Sequence, residues 1–553
     1  MTRLLTERLR LSATFEALTP IHVGGMAGDP EVDLTVALDG AFRPVIPGTS
    51  LAGVLRSACA QATDPSRIAA VEQVWGGTPE DRSDDTAASL VTVDDAVLQL
   101  SGPLERRDGI GIDRFTGTAA EHIKYVREVV PRGSSFEVRV TVDVPADDPL
   151  AEEARHVGDV LAGILGGGRT ITIGASGTRG LGRIRAVPDS FRAQRLSFHS
   201  REATLAALRG GEDVTDELGE QTVTTDPDEL VITVHWSPDG PLMVKAGFDG
   251  LAVDTLPLTG VAERDPSGGA SRLALVLPGS SVKGALRSHA ELIMRTVAGL
   301  DLPEPGADGE RPSTRRFLDQ LADPGLELVQ WLFGVAATAD DTSPGAESQR
   351  AESRDTDDND NEDRDRVVKP GRGALSVADC ASLDRFPTAV WDAVIGATKS
   401  EGDANAALRA ALRQEGLPHL QQAFHVAVDR WTGGAAEGLL FSVLEPHAVR
   451  WEPLELRVDL RRLPEAVRDA ALCLLLLVLR ELARGEIPLG HGANRGMGAV
   501  RIERVELEVP DTVAVLKSGS LDDAIACARE HLLSSWQAAI RRSAATKEDS
   551  ARV

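Results

Sequence analysis

Polar and apolar residues alternate from Leu9 to Phe15 in LRLSATF, and a period of two predicts a half-buried strand. A second strand-like run enters Pro47-Gly48 in PVIPGTSLAGVLRS, after which helical spacing predicts a helix over 51–61 with Thr49 or Ser50 as its N-cap. Further on the pattern predicts a strand with an EVVP edge over 128–140, a helix over 150–165, and a glycine-rich turn into a last strand. The same order then returns. LVLPGSSVKGALRS (275–288) opens a helix with Ser280 or Ser281 as cap, and a helix over 465–484 precedes a second glycine-rich turn. Helical patterns near 312–333 and 403–415 lie between, and a C-terminal helix over about 520–541 places Leu532, Leu533 and Trp536 on one face.

The return is a duplication. Pro47 and Pro278 are 231 residues apart, whereas Asp113 and Asp429, and likewise Gly180 and Gly496, are 316 apart. The second copy therefore holds 85 additional residues between Arg287 and Asp429. Inside that window, Ala337–Arg366 carries 11 acidic and 4 basic residues and hardly any apolar ones, so it is expected to be a disordered surface loop.

Helices crossing behind an antiparallel sheet, twice, predict an α+β chain of two tandem ferredoxin-like domains. The expected division is 1–208, a linker at 209–228, 229–510 with the acidic insertion near 337–370, and a C-terminal helix and tail at 511–553. The apolar run Leu472–Leu479 has eight residues, against the roughly 20 a membrane-spanning helix needs. No secretion signal is read at the N-terminus, and a cytoplasmic protein with no membrane partner is expected. Four scattered cysteines (Cys59, Cys380, Cys473, Cys527) exclude a disulfide framework or a cysteine zinc cluster, and Cys59 and Cys473 read as small buried hydrophobes. A net charge of −26 argues against nonspecific nucleic-acid binding, but leaves room for a local basic stripe.

The glycine-rich turns are the most specific chemical signal. In SGTRGLGRI, Gly180 and Gly182 admit a ligand close to the backbone, and Arg179, Arg183 and Arg185 crowd the same turn, as suits a phosphate. NRGMGAVRI repeats this with Arg495 and Arg501. The turn precedes a strand, so it is not a dinucleotide fingerprint, and no Walker lysine follows. The Pro-Gly helix starts offer N–H groups to an anion, with Arg56, Lys283 and Arg287 one or two turns in. Asp33 and Asp254 occupy corresponding upstream loops, and Asp113-Arg114 and Asp429-Arg430 read as a turn with an ion pair. His22 has Met243 as its counterpart. With no hydrolase triad, HExxH or paired carboxylates, the residues describe a tandem RNA- or phosphate-binding module whose only catalytic candidates are loop carboxylates.

These motifs, PIHVGG, a loop aspartate, IPGTSLAGVLRS, IDRFTGTA, EVVP and GTRGLGRI, resemble the RAMP superfamily. Within it they look like the backbone subunit of type III CRISPR effector complexes, and the tandem resembles the fused backbone subunits of type III-D-like systems. The resemblance covers both copies and implies an RRM-like core, a guide CRISPR RNA, a complementary target RNA, further effector subunits and metal-dependent target cleavage. It maps the catalytic, metal-holding aspartate onto Asp33 and Asp254, with magnesium as the expected divalent cation. It maps RNA binding onto His22, Arg56, Arg179, Arg183, Lys283, Arg287 and Arg495. Ala52 replaces the family's usual lysine, and Met243 replaces the motif histidine. A lone carboxylate per domain cannot form a two-metal clamp, so attack by the neighbouring 2′-hydroxyl and a 2′,3′-cyclic phosphate product are expected. A non-catalytic guide-binding scaffold and a guide-processing ribonuclease using His22 are the rival readings.

Overall fold

The alternation at Leu9, Leu11, Ala13 and Phe15 becomes strand β1 (Leu5–Ala17), whose apolar side chains are almost wholly buried. These and all following elements belong to a computed structural model that describes residues 4–25, 30–77, 88–146, 148–219, 228–247, 252–263, 271–302, 314–335, 371–396, 408–410, 412–413, 419–513 and 516–550. The acidic tract over 337–366 lies outside the described residues.

After β1 come helix α1 (Gly48–Ala62), strand β2 (Val91–Val93) and a hairpin of β3 (Glu105–Gly109) and β4 (Tyr125–Val129). The single strand expected over 128–140 is two: the chain turns at Pro131–Gly133 between β4 and β5 (Ser135–Pro145). Helix α2 (Ala151–Gly166), β6 (Arg183–Ala186) and β7 (Arg192–Ser197) complete the half. In the antiparallel sheet β1 pairs with β5 (Leu11↔Val140) on one side and with β6 and β7 (Phe15↔Ala186, Leu11↔Ala193) on the other. β2 lies outside β5 (Val91↔Val142). This is the ferredoxin-like order, with the first strand at the centre and both helices contributing Leu51, Leu55, Leu161 and Leu165 to one core.

The second half repeats it with β8 (Glu229–Pro238), α3 (Gly279–Ala298), β9 (Leu375–Val377), a hairpin of β10 (Leu420–Val428) and β11 (Ala435–Pro446), β12 (Leu454–Asp459), α4 (Glu465–Ala483) and β13 (Val500–Glu508). Central β8 pairs with β12 (Ile232↔Leu456) and β13 (Val234↔Val505), and β9 pairs with β12. Both halves are therefore α+β with the same topology.

Several boundaries differ from expectation. Thr49, Ser50, Ser280 and Ser281 do not cap their helices. α1 starts at Gly48, whose N–H donates to Asp95 Oδ1 at 2.6 Å, and α3 at Gly279, whose N–H donates to Asp379 Oδ1 at 2.8 Å. Asp95 and Asp379 are 284 apart, so the 85 extra residues of the second half split into 53 before this cap and 32 after it. The expected linker begins late: Glu212–Asp213 pairs with β7, and Val214 and Leu218 join the first core. The C-terminal helix is two helices, α5 (Leu521–His531) and α6 (Leu533–Ser550). Leu532 and Trp536 are buried in the second core, while Leu533 is exposed. Cys59, Cys380 and Cys473 are free and buried. Among the described residues, no helix is long and apolar enough to cross a membrane.

The first half's hairpin docks on the second half. Arg107 on β3 is buried between Glu105 and Asp379, and Glu105 Oε1 accepts Val261 N–H at 2.8 Å. Beyond β3, Asp113 accepts the N–H groups of Phe115 and Thr116 and, across the halves, Gln320 Nε2 at 3.0 Å. Arg114 Nε donates to Glu291 at 2.6 Å. Gly180 takes part as well: with φ +96° it sits where a Cβ would lie 2.1 Å from Asp379 Oδ1. The second hairpin repeats the Asp429 turn but has Gln421 and Ala423 where the first has Glu105 and Arg107, and its Trp431 is 96% exposed.

Asp379 thus both caps a helix and neutralises a buried guanidinium, whereas exposed Asp95 only caps. Asp379→Ala should cost about 3–5 kcal/mol of stability, and Asp95→Ala about 1 kcal/mol. Urea unfolding of the two variants checks this, and equal losses would contradict the proposed role of Arg107.

Candidate nucleic-acid interface

Asp33 and Asp254 are both exposed, and both are held in the same way. Asp33 Oδ2 accepts Val126 N–H at 2.7 Å, and Asp33 N–H donates to Val126 O at 3.1 Å. Asp254 Oδ2 accepts Ser442 N–H at 2.7 Å and Ser442 Oγ–H at 2.9 Å. Val126 and Ser442 are again 316 apart, and the next residues form matching parallel bridges, Leu34 with Arg127 and Thr255 with Val443. The aspartate loop is thereby stitched to the second strand of each hairpin. Among the described residues, Oδ1 of either aspartate accepts no hydrogen bond, so each carboxylate keeps one edge open to solvent.

An aromatic ring precedes each stitch. The Arg127 guanidinium lies 5.4 Å from the Tyr125 ring centroid, and that of Arg495 lies 5.2 Å from Phe441. Arg179 and Arg495 are exposed at the ends of short 3-10 turns, Gly177–Arg179 and Ala493–Arg495, inside the glycine-rich motifs. The glycines themselves answer to packing. A Cβ on Gly182 would fall 2.0 Å from Ile173 O, and one on Gly498 2.2 Å from Leu489 O.

The other predicted cations are tied up within the protein. Arg56 Nε donates to Glu72 at 2.6 Å and its Nη2 to Gly77 O at 2.8 Å. Arg287 does the same work in the second half, with Glu291 and Gly334 O, both at 2.8 Å. The repeated Leu-Arg-Ser motif therefore clasps the end of the segment that follows its helix. Arg183 bridges the halves to Glu455 at 2.7 Å. Lys283 is buried and donates to Leu375 O at 2.7 Å. His22 is 3% exposed with Nδ1 on Glu128 O at 2.7 Å, and burial holds its imidazole below the usual range, so it is a neutral interior group. This placement takes away the basis for a guide-processing role of His22. The Pro-Gly helix starts, occupied by Asp95 and Asp379, are likewise closed to a phosphate.

Of the predicted set, the structure thus brings Asp33 together with the Tyr125 strand, and Asp254 with the Phe441 strand over which Arg495 lies. It sets His22, Arg56, Arg183, Lys283 and Arg287 apart as internal supports. Sequence reasoning missed Tyr125, Val126, Phe441 and Ser442, although the constant offset of 316 marks them as paired positions. For a cation, the arrangement has one carboxylate per half. Among the described residues no three His, Cys, Asp or Glu side chains converge as a metal centre would require. One open carboxylate edge leaves room for a largely hydrated divalent cation, and does not suit a protein-enclosed metal.

Burial, with the nearby charges of Arg179, Arg287 and Arg372, pushes the Lys283 ammonium down to about 7 from 10.5. Between those values the unfolded chain binds the proton and the folded one does not. Stability should therefore rise from pH 7 towards pH 10, by at most about 1.4 kcal/mol per unit. Lys283→Met should flatten that rise in urea unfolding, and an unchanged slope would show that Lys283 is charged in the fold.

Comparison with known proteins follows these placements. The model of the RAMP superfamily matches residues 14–185 and 268–501. Among solved structures, a chain from the apo state of type III-B Cmr-beta, determined by cryo-EM, matches at 15% identity, covering 32% of this chain and 96% of that one, with a TM-score of 0.26. So loose a likeness carries no argument about function. No curated protein gives a significant match.

Proposed function

The chain belongs to the RAMP superfamily, and from that premise we propose that it is a backbone subunit of a type III CRISPR effector, acting in antiviral defence, which binds a guide RNA and cleaves the complementary target RNA beside Asp33 and Asp254. The observation that carries the reading is the duplicated stitch. Two exposed carboxylates, one in each half, are fixed by the same backbone group of the same hairpin strand, each with one oxygen edge open. A carboxylate that served only as a turn former would not need to be pinned to a strand more than 90 residues away.

In this reading the fixed carboxylate edge accepts the proton of the target's 2′-hydroxyl as that oxygen attacks the adjacent phosphorus in line, while the bond from phosphorus to the 5′-oxygen breaks and the departing oxygen takes a proton from water. The other oxygen, bonded to Val126 or Ser442, keeps the group from rotating away. Arg495, lying over Phe441, and Arg179 in the first half supply positive charge towards the phosphate. Asp33 and Asp254 would each give magnesium one ligand, and the ion would neutralise charge developing on the phosphate oxygens. The other effector subunits are the remaining partners of this assembly.

With the full chain assembled on its guide, Asp33→Ala and Asp254→Ala should each remove one cleavage position, slowing it by roughly 10²–10⁴-fold while RNA binding persists. A 2′-deoxy nucleotide at the scissile position should block the same cut, and the upstream product should end in a 2′,3′-cyclic phosphate. Undiminished cleavage in both variants would make the protein a scaffold.

A further inference from the structure

Asp33 and Asp254 are pinned at the same strand position, yet the second half adds a group to the stitch. In the first half every partner is backbone: Asp33 Oδ2 accepts Val126 N–H, and Val126 O accepts the N–H groups of Asp33 and Leu34, each at 3.1 Å. In the second half Ser442 Oγ–H donates to Asp254 Oδ2 at 2.9 Å, and the same Oγ accepts Asp254 N–H at 3.2 Å. Ser442 O is left to Thr255 N–H, at 3.1 Å. One hydroxyl therefore holds both the carboxylate and the backbone of Asp254. The side chain of Val126 has no group that could do so.

The surroundings differ in the same direction. Ser442 is 5% exposed, whereas Val126 is half-buried. Next to Ser442, Val443 packs with Met243 and Met497 in a small apolar cluster that Phe441 borders. By the offsets of 316 and 221, these three fall on Arg127, His22 and Leu181. The methionine that replaces the motif histidine thus belongs to an apolar floor under the second stitch, where the first half has a guanidinium and an imidazole. Among the described residues the Ser442 hydroxyl bonds to Asp254 alone, so no competing partner turns it away. The torsion that carries an aspartate carboxylate is soft, and a single hydrogen bond leaves the plane of the group free to swing. Two donors on Oδ2 and a tie to its own N–H fix that plane, and with it the direction of the open Oδ1. In-line attack is sensitive to such alignment, because displacing a reacting group slightly costs rate and not affinity.

Resting on the cleavage reading above, we propose that the Ser442 hydroxyl is a positioning group for Asp254 with no counterpart in the first half, so that the two cuts align their carboxylates by different means. Ser442 acts through Asp254 and not on the RNA.

Each molecule carries its own control, because the cut beside Asp33 reports on folding, assembly and guide loading. The full chain is assembled on its guide, and each cut is read alone with a target RNA carrying a 2′-deoxy nucleotide at the other scissile position. Under single-turnover conditions Ser442→Ala should slow the cut that Asp254→Ala removes by roughly tenfold. Its affinity for target and the cut beside Asp33 should stay at wild-type values. Ser442→Thr, which keeps the hydroxyl, should restore the rate. Wild-type rates at both positions in Ser442→Ala would overturn the proposal and leave the cleavage reading standing. An equal loss at both positions would overturn it too, since that marks a fault of fold or assembly, as would a Ser442→Thr variant no faster than Ser442→Ala. If wild type cuts at neither position, the cleavage reading fails and the role of Ser442 with it.

Discussion

The carboxylate of Asp379 is the point on which the arrangement turns. One oxygen caps the first N–H of α3, and the other meets the buried Arg107 of the first half. A guanidinium removed from water needs an equally buried partner, since the desolvation of either alone outweighs ordinary packing gains. Because that partner is also the helix cap, the position of α3 and the position of the first hairpin are set by one group. The glycine at 180 follows from the same demand, because any side chain there would occupy the space of the cap.

Much of the fold could be read from the residues because duplication multiplies weak signals. Alternation in β1, the two Pro-Gly helix starts and the two glycine-rich turns each recur at a fixed spacing, and so predicted a repeated α+β topology that the sheets display. What escaped was everything decided by tertiary contact. Thr49 and Ser280 look like ideal caps, yet an aspartate tens of residues downstream takes that place in both halves. The strand break at Pro131 and the two-part C-terminal helix were hidden because an apolar run does not record where the backbone turns.

The site was legible in part, for a related reason. Asp33 and Asp254 were singled out by their place before the Pro-Gly turn, and the fold leaves both exposed. Arginines and lysines in repeated motifs read equally well as phosphate ligands and as internal clasps, because the sequence shows charge but not its partner. Arg56 with Glu72 and Arg287 with Glu291 show how the same motif can recur for reasons of packing alone. Arg179 and Arg495, at the ends of the two turns, are exposed, Arg495 with its guanidinium over the Phe441 ring.

The unlike pair at the base of the hairpins, Glu105 and Arg107 in one and Gln421 and Ala423 in the other, gives the chain a direction. A duplicated protein built from identical units can be lengthened, shortened or reordered without loss, but here the plug and its socket each occur once. Replacing either half by a second copy of the other would leave Arg107 or Asp379 without its charged partner. The duplication has in this sense become irreversible: two copies of one ancestral fold now persist only as a left and a right part.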